Sequence, residues 1–196
     1  MQRLLATFLC LAAVLTGCVT AEDLPPLMTA LDQQSGVTVE ATGIPYVLAR
    51  EAAALAANAR DYLDLRLLDV DRMGKRSYYL SLVVFSTVAR HGESSPTAAA
   101  IGKVRVRIGS QVVELEAVRE GEEAYGLSAR VFPRRIGYLA AAEYPVTPAF
   151  VRALAAAGEH DLAVEVGPDT DLVYEPWEPA TEGLKGFAER LPRPAR

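Results

Sequence analysis

The feature that most constrains the fold is a run of leucines that alternates with charged residues. Leu63, Leu65 and Leu67 recur at every second position, which is the period of a strand with one buried face. A second β-rich run follows at Tyr78 to Val88. The range from Asp61 to Ala89 is therefore predicted to be a β-hairpin.

The turn of this hairpin sets its register. Met73 is poorly suited to a positive φ, which disfavours a tight type I′ turn, so a four-residue loop from Arg72 to Lys75 with Gly74 in the left-handed conformation is expected. Such a loop pairs Asp71 with Arg76. It also brings the apolar residues of both strands to one face, with Leu67 opposite Leu80, Leu65 opposite Leu82 and Leu63 opposite Val84.

A second hairpin is predicted around Gly109-Ser110, which suits a two-residue type II′ turn. The resulting pairs are Val106 with Val113 and Val104 with Leu115 on one face, and Arg105 with Glu114 and Lys103 with Glu116 on the other. Each charged pair contributes only about a few tenths of a kcal/mol. The pairs therefore indicate the register and the solvent side of the hairpin more than they add stability.

Shorter β signals occur elsewhere in the chain. Alternating or apolar stretches predict strands at Val37–Ala41, Pro45–Leu48, Leu127–Phe132 and Leu162–Val166. The alanine-rich stretch from Glu51 to Arg60 has helix propensity but no wide apolar stripe. A helix and a loop packed on the sheet both stay open for that stretch.

Two amphipathic helices are predicted in the C-terminal third. Thr147 is a suitable N-cap, Pro148 suits the first helical position and Gly158 is a stop signal. The stretch from Thr181 to Leu191 has apolar residues at helical spacing, although two glycines weaken it. Roughly seven or eight strands and two late helices favour a mainly β, β-sandwich-like fold of antiparallel hairpins, with α+β as the alternative.

The first eighteen residues have the layout of an export signal. Arg3 and the amino terminus provide positive charge, and Leu4 to Val14 is apolar except for Thr7. Eleven helical residues rise about 16 Å, well short of the roughly 30 Å hydrocarbon core, so this segment is too short for a permanent span. The small residues of Leu15-Thr16-Gly17-Cys18 then lead directly into a cysteine.

This arrangement resembles the signal peptide and lipobox of bacterial lipoproteins. The resemblance implies cleavage between Gly17 and Cys18, a diacylglyceryl group on the Cys18 thiol, and acylation of the new amine. Because each buried methylene is worth about 0.8 kcal/mol, two or three chains such as palmitate would hold the protein on a membrane. Val19 is not the Asp that retains enterobacterial lipoproteins in the inner membrane, so the outer membrane, facing the periplasm, is expected.

Composition agrees with one exported domain. Cys10 would leave with the signal and Cys18 would carry lipid, so no disulfide is expected despite the oxidising compartment. The predicted divisions are 1–17 for the signal, 18–36 for a lipidated tether and 37–196 for a single β-rich domain. Loss of the one charged side chain in the signal lowers the formal net charge of −5 by one, to −6. This charge argues against nucleic acid as a partner and against electrostatic binding to anionic lipids.

The usual catalytic signatures are absent from the sequence. There is no G-x-S-x-G, Walker or dinucleotide-binding glycine pattern, no H-E-x-x-H and no cysteine pair. His91, in a loop after a strand, is the best isolated candidate for acid–base or metal chemistry, and Glu159-His160-Asp161 is a weaker one. For both histidines a solvated loop residue is the simpler interpretation.

Four aromatic residues are candidates to line a pocket or a partner groove: Tyr78, Tyr79, Tyr174 and Trp177. Packing in the core explains them equally well. The more unusual stretch is Glu175 to Pro179, in which two prolines stiffen the chain around Trp177. It is interpreted either as a strand-like docking segment for a partner or as a rigid connector with Trp177 buried.

The predicted function is therefore binding or scaffolding at a membrane, without catalysis. Cys18 is the assigned lipid-attachment site, and no catalytic residue, metal ligand or cofactor is assigned. Two alternatives stay open: a hydrolase or metal-dependent enzyme that uses His91 or His160, and a carrier of a small apolar ligand. The enzyme requires a histidine within hydrogen-bond reach of a carboxylate in a concave site, and the carrier requires an enclosed apolar cavity.

Overall fold

A computed structural model describes residues 24–52, 57–86, 101–118, 125, 127, 138–167 and 172–193. These ranges contain ten strands and two helices. In chain order they are β1 Leu27–Asp32, β2 Val37–Thr42, β3 Tyr46–Glu51, β4 Arg60–Arg72, β5 Lys75–Ser86, β6 Lys103–Ile108, β7 Gln111–Glu116, β8 Tyr138–Val146, α1 Pro148–Ala156, β9 Leu162–Val166, β10 Leu172–Glu178 and α2 Thr181–Glu189. The predicted fold class, mainly β with two C-terminal helices, is confirmed.

All ten strands belong to one antiparallel sheet. β4 is central because its 13 residues pair along one edge with β5 and along the other with two shorter strands, β3 at its start and β2 at its end. From β3 the sheet continues through β10, β9, β6 and β7, while β1 pairs with β2 and β8 with β5. The sheet curls so far that the Val118 N–H, just after β7, donates to the Glu143 carbonyl of β8 at 3.0 Å. The predicted sandwich thus takes the form of one continuous curled sheet.

The sheet buries apolar side chains on both faces of its central strands. The alternating leucines of Leu63–Leu67 point into the main core, which buried residues of α1 and α2 also enter. Leu68 and Val70 face the other way and form a smaller cluster with residues of β2 and with Tyr125. β4 is therefore half-buried at its start, as its alternation predicts, and buried on both faces near its end.

The predicted register of the first hairpin is confirmed. Leu67 lies opposite Leu80, Leu65 opposite Leu82 and Leu63 opposite Val84. The predicted four-residue loop is wrong, because Arg72 pairs with Lys75 and only Met73 and Gly74 connect the strands, with φ of 55° and 85°. Positive φ at both positions is the type I′ pattern, whose twist matches that of the strands. A left-handed methionine costs about 1–2 kcal/mol, which the twelve continuous cross-strand pairs offset.

The second hairpin also has the predicted register. Of its two turn residues only Gly109 has a positive φ, 57°, as a type II′ turn requires. The charges differ from the prediction in one respect. Arg105 forms an ion pair at 2.6 Å with Glu165 of β9, which pairs with the other edge of β6. Lys103 and Glu116 are exposed and 3.8 Å apart.

The range 18–36, predicted as a tether, contains β1, so this prediction is wrong for its second half. β1 pairs with the whole of β2, from Leu27 opposite Thr42 to Asp32 at the other end. The polar residues after Asp32 form the turn of this hairpin, in which the Gly36 N–H donates to the Asp32 carbonyl at 2.8 Å. The domain boundary predicted at residue 37 therefore falls inside a hairpin.

The remaining strand predictions have mixed outcomes. Those at 37–41, 45–48 and 162–166 are confirmed as β2, β3 and β9. In the alanine-rich stretch, Glu51 ends β3 and Arg60 begins β4, so its described ends are not helical. Residues 53–56 lie outside the described ranges, as does the predicted strand 127–132 apart from its first residue.

Two strands, β8 and β10, have no clear local signal. β8 contains three consecutive alanines and Pro145, a composition of low β propensity. It forms nevertheless because it pairs along β5. Pro145 is tolerated because proline suits an edge strand, where an N–H can be absent from the ladder.

The helix predicted after Thr147 is confirmed as α1. The Thr147 Oγ1 accepts a hydrogen bond from the Phe150 N–H at 3.2 Å, and Pro148 is the first helical residue. α2 has no side-chain cap. Leu184 and Phe187 are buried in the main core, so tertiary packing stabilises this helix in spite of its glycines.

Candidate functional site

The residues singled out from the sequence lie in different places. Cys18 and His91 are outside the described residues. His160 lies in the turn between α1 and β9, where its side chain is exposed together with Glu159 and Asp161. Within the part of the chain that the structure describes, no group of three or more His, Cys, Asp or Glu side chains is arranged to hold a metal ion.

The four aromatic candidates do not share a pocket. Tyr174 is buried in the main core, and Tyr78 is half-buried against it. Tyr79 lies on the outer face and packs edge-to-face on Tyr125, with ring centroids 5.1 Å apart. Core packing thus explains the three tyrosines. Trp177, 44% exposed, is left as the candidate for binding.

The stretch from Glu175 to Pro179 is not a free docking strand. β10 pairs with β9 through Leu172–Tyr174 and with β3 through Glu175–Glu178. The register shifts between Pro176 and Glu178, which leaves Trp177 at a β-bulge, a feature that re-aims a side chain. The interpretation as a connector with Trp177 buried is wrong, because Trp177 is exposed. Docking of a partner stays a prediction.

Trp177 belongs to a cluster that we call the aromatic patch, defined as Arg60, Tyr62, Phe85 and Trp177. The Tyr62 and Phe85 rings are stacked, with centroids 5.1 Å apart and an interplanar angle of 15°. The Trp177 ring meets Tyr62 edge-to-face at 6.3 Å, and the Arg60 guanidinium carbon lies 4.3 Å from the indole centroid. All three are favourable geometries for aromatic groups, so the patch is held in place by its own contacts.

Strand alternation places the aromatic patch on the outer face. Leu63 points into the core, so its neighbour Tyr62 points outward. In β3 the cross-strand partner of Tyr62 is Ala49, and Glu175 of β10 follows in the same row. A small side chain between β4 and β10 leaves room for the Trp177 indole to reach Tyr62.

Exposed carboxylates surround the aromatic patch. Glu51 is the cross-strand partner of Arg60, Glu175 pairs with Ala49, and Glu178 follows the bulge. All three are exposed, and we call them the acidic rim. Three carboxylates around one guanidinium give this surface an excess of negative charge, which is complementary to a basic partner.

Two aspartates on the inner face of β4 are held in ion pairs. Asp61, which is 0% exposed, lies 2.5 Å from the Arg50 guanidinium, whose Nε also donates to the Tyr174 hydroxyl at 3.3 Å. Asp69 is paired with Arg76. Burial raises the pKa of Asp69, and the hydrogen bond from Arg76 opposes this rise. Because each carboxylate faces a cation on a neighbouring strand, we interpret both pairs as structural.

A third polar group lies on the outer face of β5 and β8. Ser81 and Glu143 are cross-strand partners, and the Ser81 hydroxyl donates to Glu143 at 3.0 Å. Burial, followed by the charge of Glu143, raises the pKa of Tyr125 well above its usual value. A tyrosine that stays protonated beside a carboxylate is a hydrogen-bond donor, which suits a contact between the sheet and the residue that covers it.

Trp177 is the one member of the aromatic patch that the sequence singled out, and Arg60, Tyr62 and Phe85 were not expected there. The signal for two of them was present, because the register that pairs Leu63 with Val84 also pairs Tyr62 with Phe85. The contact of Arg60 with Trp177 depends on β10 lying beside β3, and no local pattern indicates that neighbourhood.

No family model, curated protein or solved structure matches this chain. Among the helices in the described ranges, none is long and apolar enough to cross a membrane. The function is therefore inferred from the chain's own residues and their geometry.

Proposed function

We propose that the protein is a lipoprotein of the bacterial outer membrane that faces the periplasm and binds a partner protein through the aromatic patch. The lipobox-like Leu15-Thr16-Gly17-Cys18 supports the anchor. The observation that supports binding is the indole of Trp177, exposed yet fixed by Tyr62 and Arg60. In this proposal the domain recruits or scaffolds and does not itself catalyse a reaction.

The composition of the aromatic patch suits a contact with protein. Trp, Tyr and Arg are the residue types that dominate binding energy at interfaces. A ring that is already held in position loses little side-chain entropy on binding. The acidic rim favours a partner segment that carries lysine or arginine around an apolar centre, since complementary charge steers association and disfavours acidic competitors.

The pairing of β10 with β3 also bears on the mode of binding. The edge of Glu175–Glu178 that pairs with β3 cannot accept a peptide by β-augmentation, which requires a free edge, and the Trp177 indole meets Tyr62 on the outer face. The partner would therefore contact side chains on the outer face of the sheet. Within the described ranges the main core fills the inner face of the sheet with side chains, so a surface site is also a simpler proposal than a carrier cavity.

Acylation is tested by metabolic labelling with radioactive palmitate. Wild-type protein should take up label and sediment with membranes, and Cys18→Ser should do neither. Cys10→Ser is the matched control and should label like wild type, because Cys10 lies in the segment that is removed. Unlabelled wild-type protein would refute the anchor.

The binding surface is tested by photo-crosslinking in cells. A photoreactive amino acid at Glu175, beside the aromatic patch, should give a discrete adduct that Trp177→Ala removes. Val112→Ala is the control, because Val112 is an apolar residue on β7 that is 54% exposed. Equal adduct yields in the two variants, or the same adduct from a probe at Met73, would refute the aromatic patch as the binding site.

A further inference from the structure

The segment that leads into β1 is fixed against the rest of the fold. The Gly43 N–H donates to the Pro26 carbonyl oxygen at 2.9 Å. A Cβ on Gly43 would overlap the Pro25 carbonyl oxygen, and a Cβ on Gly183 of α2 would lie 3.1 Å from the Pro26 oxygen. Backbone thus packs closely on backbone on two sides, so the chain leaves the domain at one defined point.

The chain between this exit point and the proposed anchor is short. Leu24 is six residues after Cys18, and an extended chain covers at most about 3.3–3.6 Å per residue, or roughly 20 Å in all. A tether that ended at Gly36 would have reached about 60 Å. Because β1 and its turn occupy much of that range, the domain loses most of this reach.

We infer that the face formed by the start of β1 and by α2 is held directly against the lipid headgroups. The inference rests on the proposed acylation of Cys18. The exposed residues on α2 include Glu182, Lys185 and Glu189, a mixture of charges that neither strongly attracts nor strongly repels a bilayer. The short connection, and not the charge of the face, therefore sets the orientation.

The turn between β4 and β5 lies at a distance from this exit point along the strands. Thr42, the partner of Leu27, lies beside Leu67, whose N–H donates to the Thr42 hydroxyl. Met73 is six residues further along β4, which corresponds to about 20 Å at 3.3 Å per residue. Its side chain is 95% exposed. A probe at Met73 therefore reports a solvent-exposed position away from the proposed membrane face.

Energy transfer to labelled lipids tests this orientation in the full, acylated protein. The only natural cysteines are Cys10 and Cys18, so a new cysteine is the single free thiol after processing. A donor dye on Glu182→Cys or on Met73→Cys is compared in phosphatidylcholine vesicles that carry a headgroup acceptor. Transfer should be several-fold more efficient from Glu182→Cys than from Met73→Cys.

A longer connection provides the matched control. Twenty flexible Gly/Ser residues inserted after Thr20 add roughly 25 Å of mean reach and should lower the transfer from Glu182→Cys towards that from Met73→Cys. Equal transfer from the two positions, or no effect of the insertion, in protein that floats with vesicles would overturn the orientation alone. Wild-type protein that does not float with vesicles would overturn the proposed anchor, and the orientation with it.

Discussion

The two glycines of α2 provide a direct test of how closely the start of β1 packs against this helix. Glycine inside a helix costs about 0.5–1 kcal/mol relative to alanine, so the helix alone gains from either substitution. At Gly186 an added Cβ would have Leu27 Cδ1 as its nearest neighbour, at 3.7 Å, an ordinary contact. Gly186→Ala should therefore raise the free energy of unfolding by about 0.5–1 kcal/mol.

Gly183 should respond differently, because a Cβ there would lie only 3.1 Å from the Pro26 carbonyl oxygen. That oxygen already accepts a hydrogen bond from the Gly43 N–H. If the oxygen moves, it weakens a bond with a net worth of about 0.5–1.5 kcal/mol. This loss offsets the gain in helix propensity, so Gly183→Ala should be about 0.5–1.5 kcal/mol less stable than Gly186→Ala.

Urea melts of residues 19–196, produced without the signal and the lipidated cysteine, would measure both variants against the parent. A difference of about 0.5–1.5 kcal/mol corresponds to roughly 1–6 °C in Tm for a domain of this size, so thermal melts give a second readout. Equal stabilisation by the two alanines would refute the tight contact between Pro26 and α2. It would also remove the fixed exit point on which the membrane orientation depends.

Three further sets of substitutions test the sheet by denaturant melts. Leu65→Ala removes a side chain that is 0% exposed and should cost about 2–5 kcal/mol. Arg66→Ala loses hydrogen bonds to two backbone carbonyls and should cost about 1.5–3 kcal/mol. A larger loss for Arg66→Ala than for Leu65→Ala would contradict the assignment of the two faces. Met73→Asn should stabilise the fold by about 0.5–1 kcal/mol, since asparagine tolerates positive φ better, and a loss of stability would argue against the type I′ turn. Asp69→Asn should gain stability relative to wild type as the pH rises from 4 to 7. Because the pKa of Asp69 is raised, the folded state keeps a proton that the unfolded chain has already released. Wild type therefore loses stability as the pH rises through that range. A difference in unfolding free energy between the two proteins that stays constant with pH would exclude this effect.

Elements that depend on neighbouring sequence were predictable. The first hairpin follows from one turn and from the alternating leucines Leu63, Leu65 and Leu67, which we call the leucine stripe. A slip of a single residue would turn Leu65 away from Leu82. α1 follows from its cap at Thr147 and the proline after it. In both cases the deciding contacts lie within about thirty residues of one another.

Elements that depend on distant partners were not predictable. β8 looks unlike a strand by composition, and only its ladder to β5 makes it one. Alternation placed Arg66 on a solvent face, but its guanidinium reaches the carbonyls of Thr42 and Gly43, where the chain bends between β2 and β3. The aromatic patch also depends on distant partners, because the pairing of β10 with β3 brings Trp177 to its neighbours on β4 and β5.

The leucine stripe alone does not fix the register of β4 on β5, because a slip of two residues keeps every side chain on its face. In one direction such a slip would still set Leu65 opposite Val84, and in the other it would set Leu65 opposite Leu80. Hydrophobic matching separates these alternatives only weakly. Some other interaction must discriminate between them.

The ion pair at one end of the stripe and the turn of the hairpin provide that discrimination. On its inner face β4 reads Asp61, three leucines and Asp69, and each aspartate has its cation in place, Arg50 at one end and Arg76 at the other. A two-residue slip of β5 that sets Asp69 against Leu80 carries Arg76 away from Asp69, whereas Asp61 keeps Arg50, which lies on β3. An uncompensated buried charge costs about 3–5 kcal/mol, which is comparable to a substantial part of the stability of a small domain. The opposite slip leaves Arg76 facing Asp69, but it moves the two-residue turn to Arg72-Met73, which contains no glycine. The Asp69–Arg76 pair therefore disfavours one shifted register, and the turn disfavours the other.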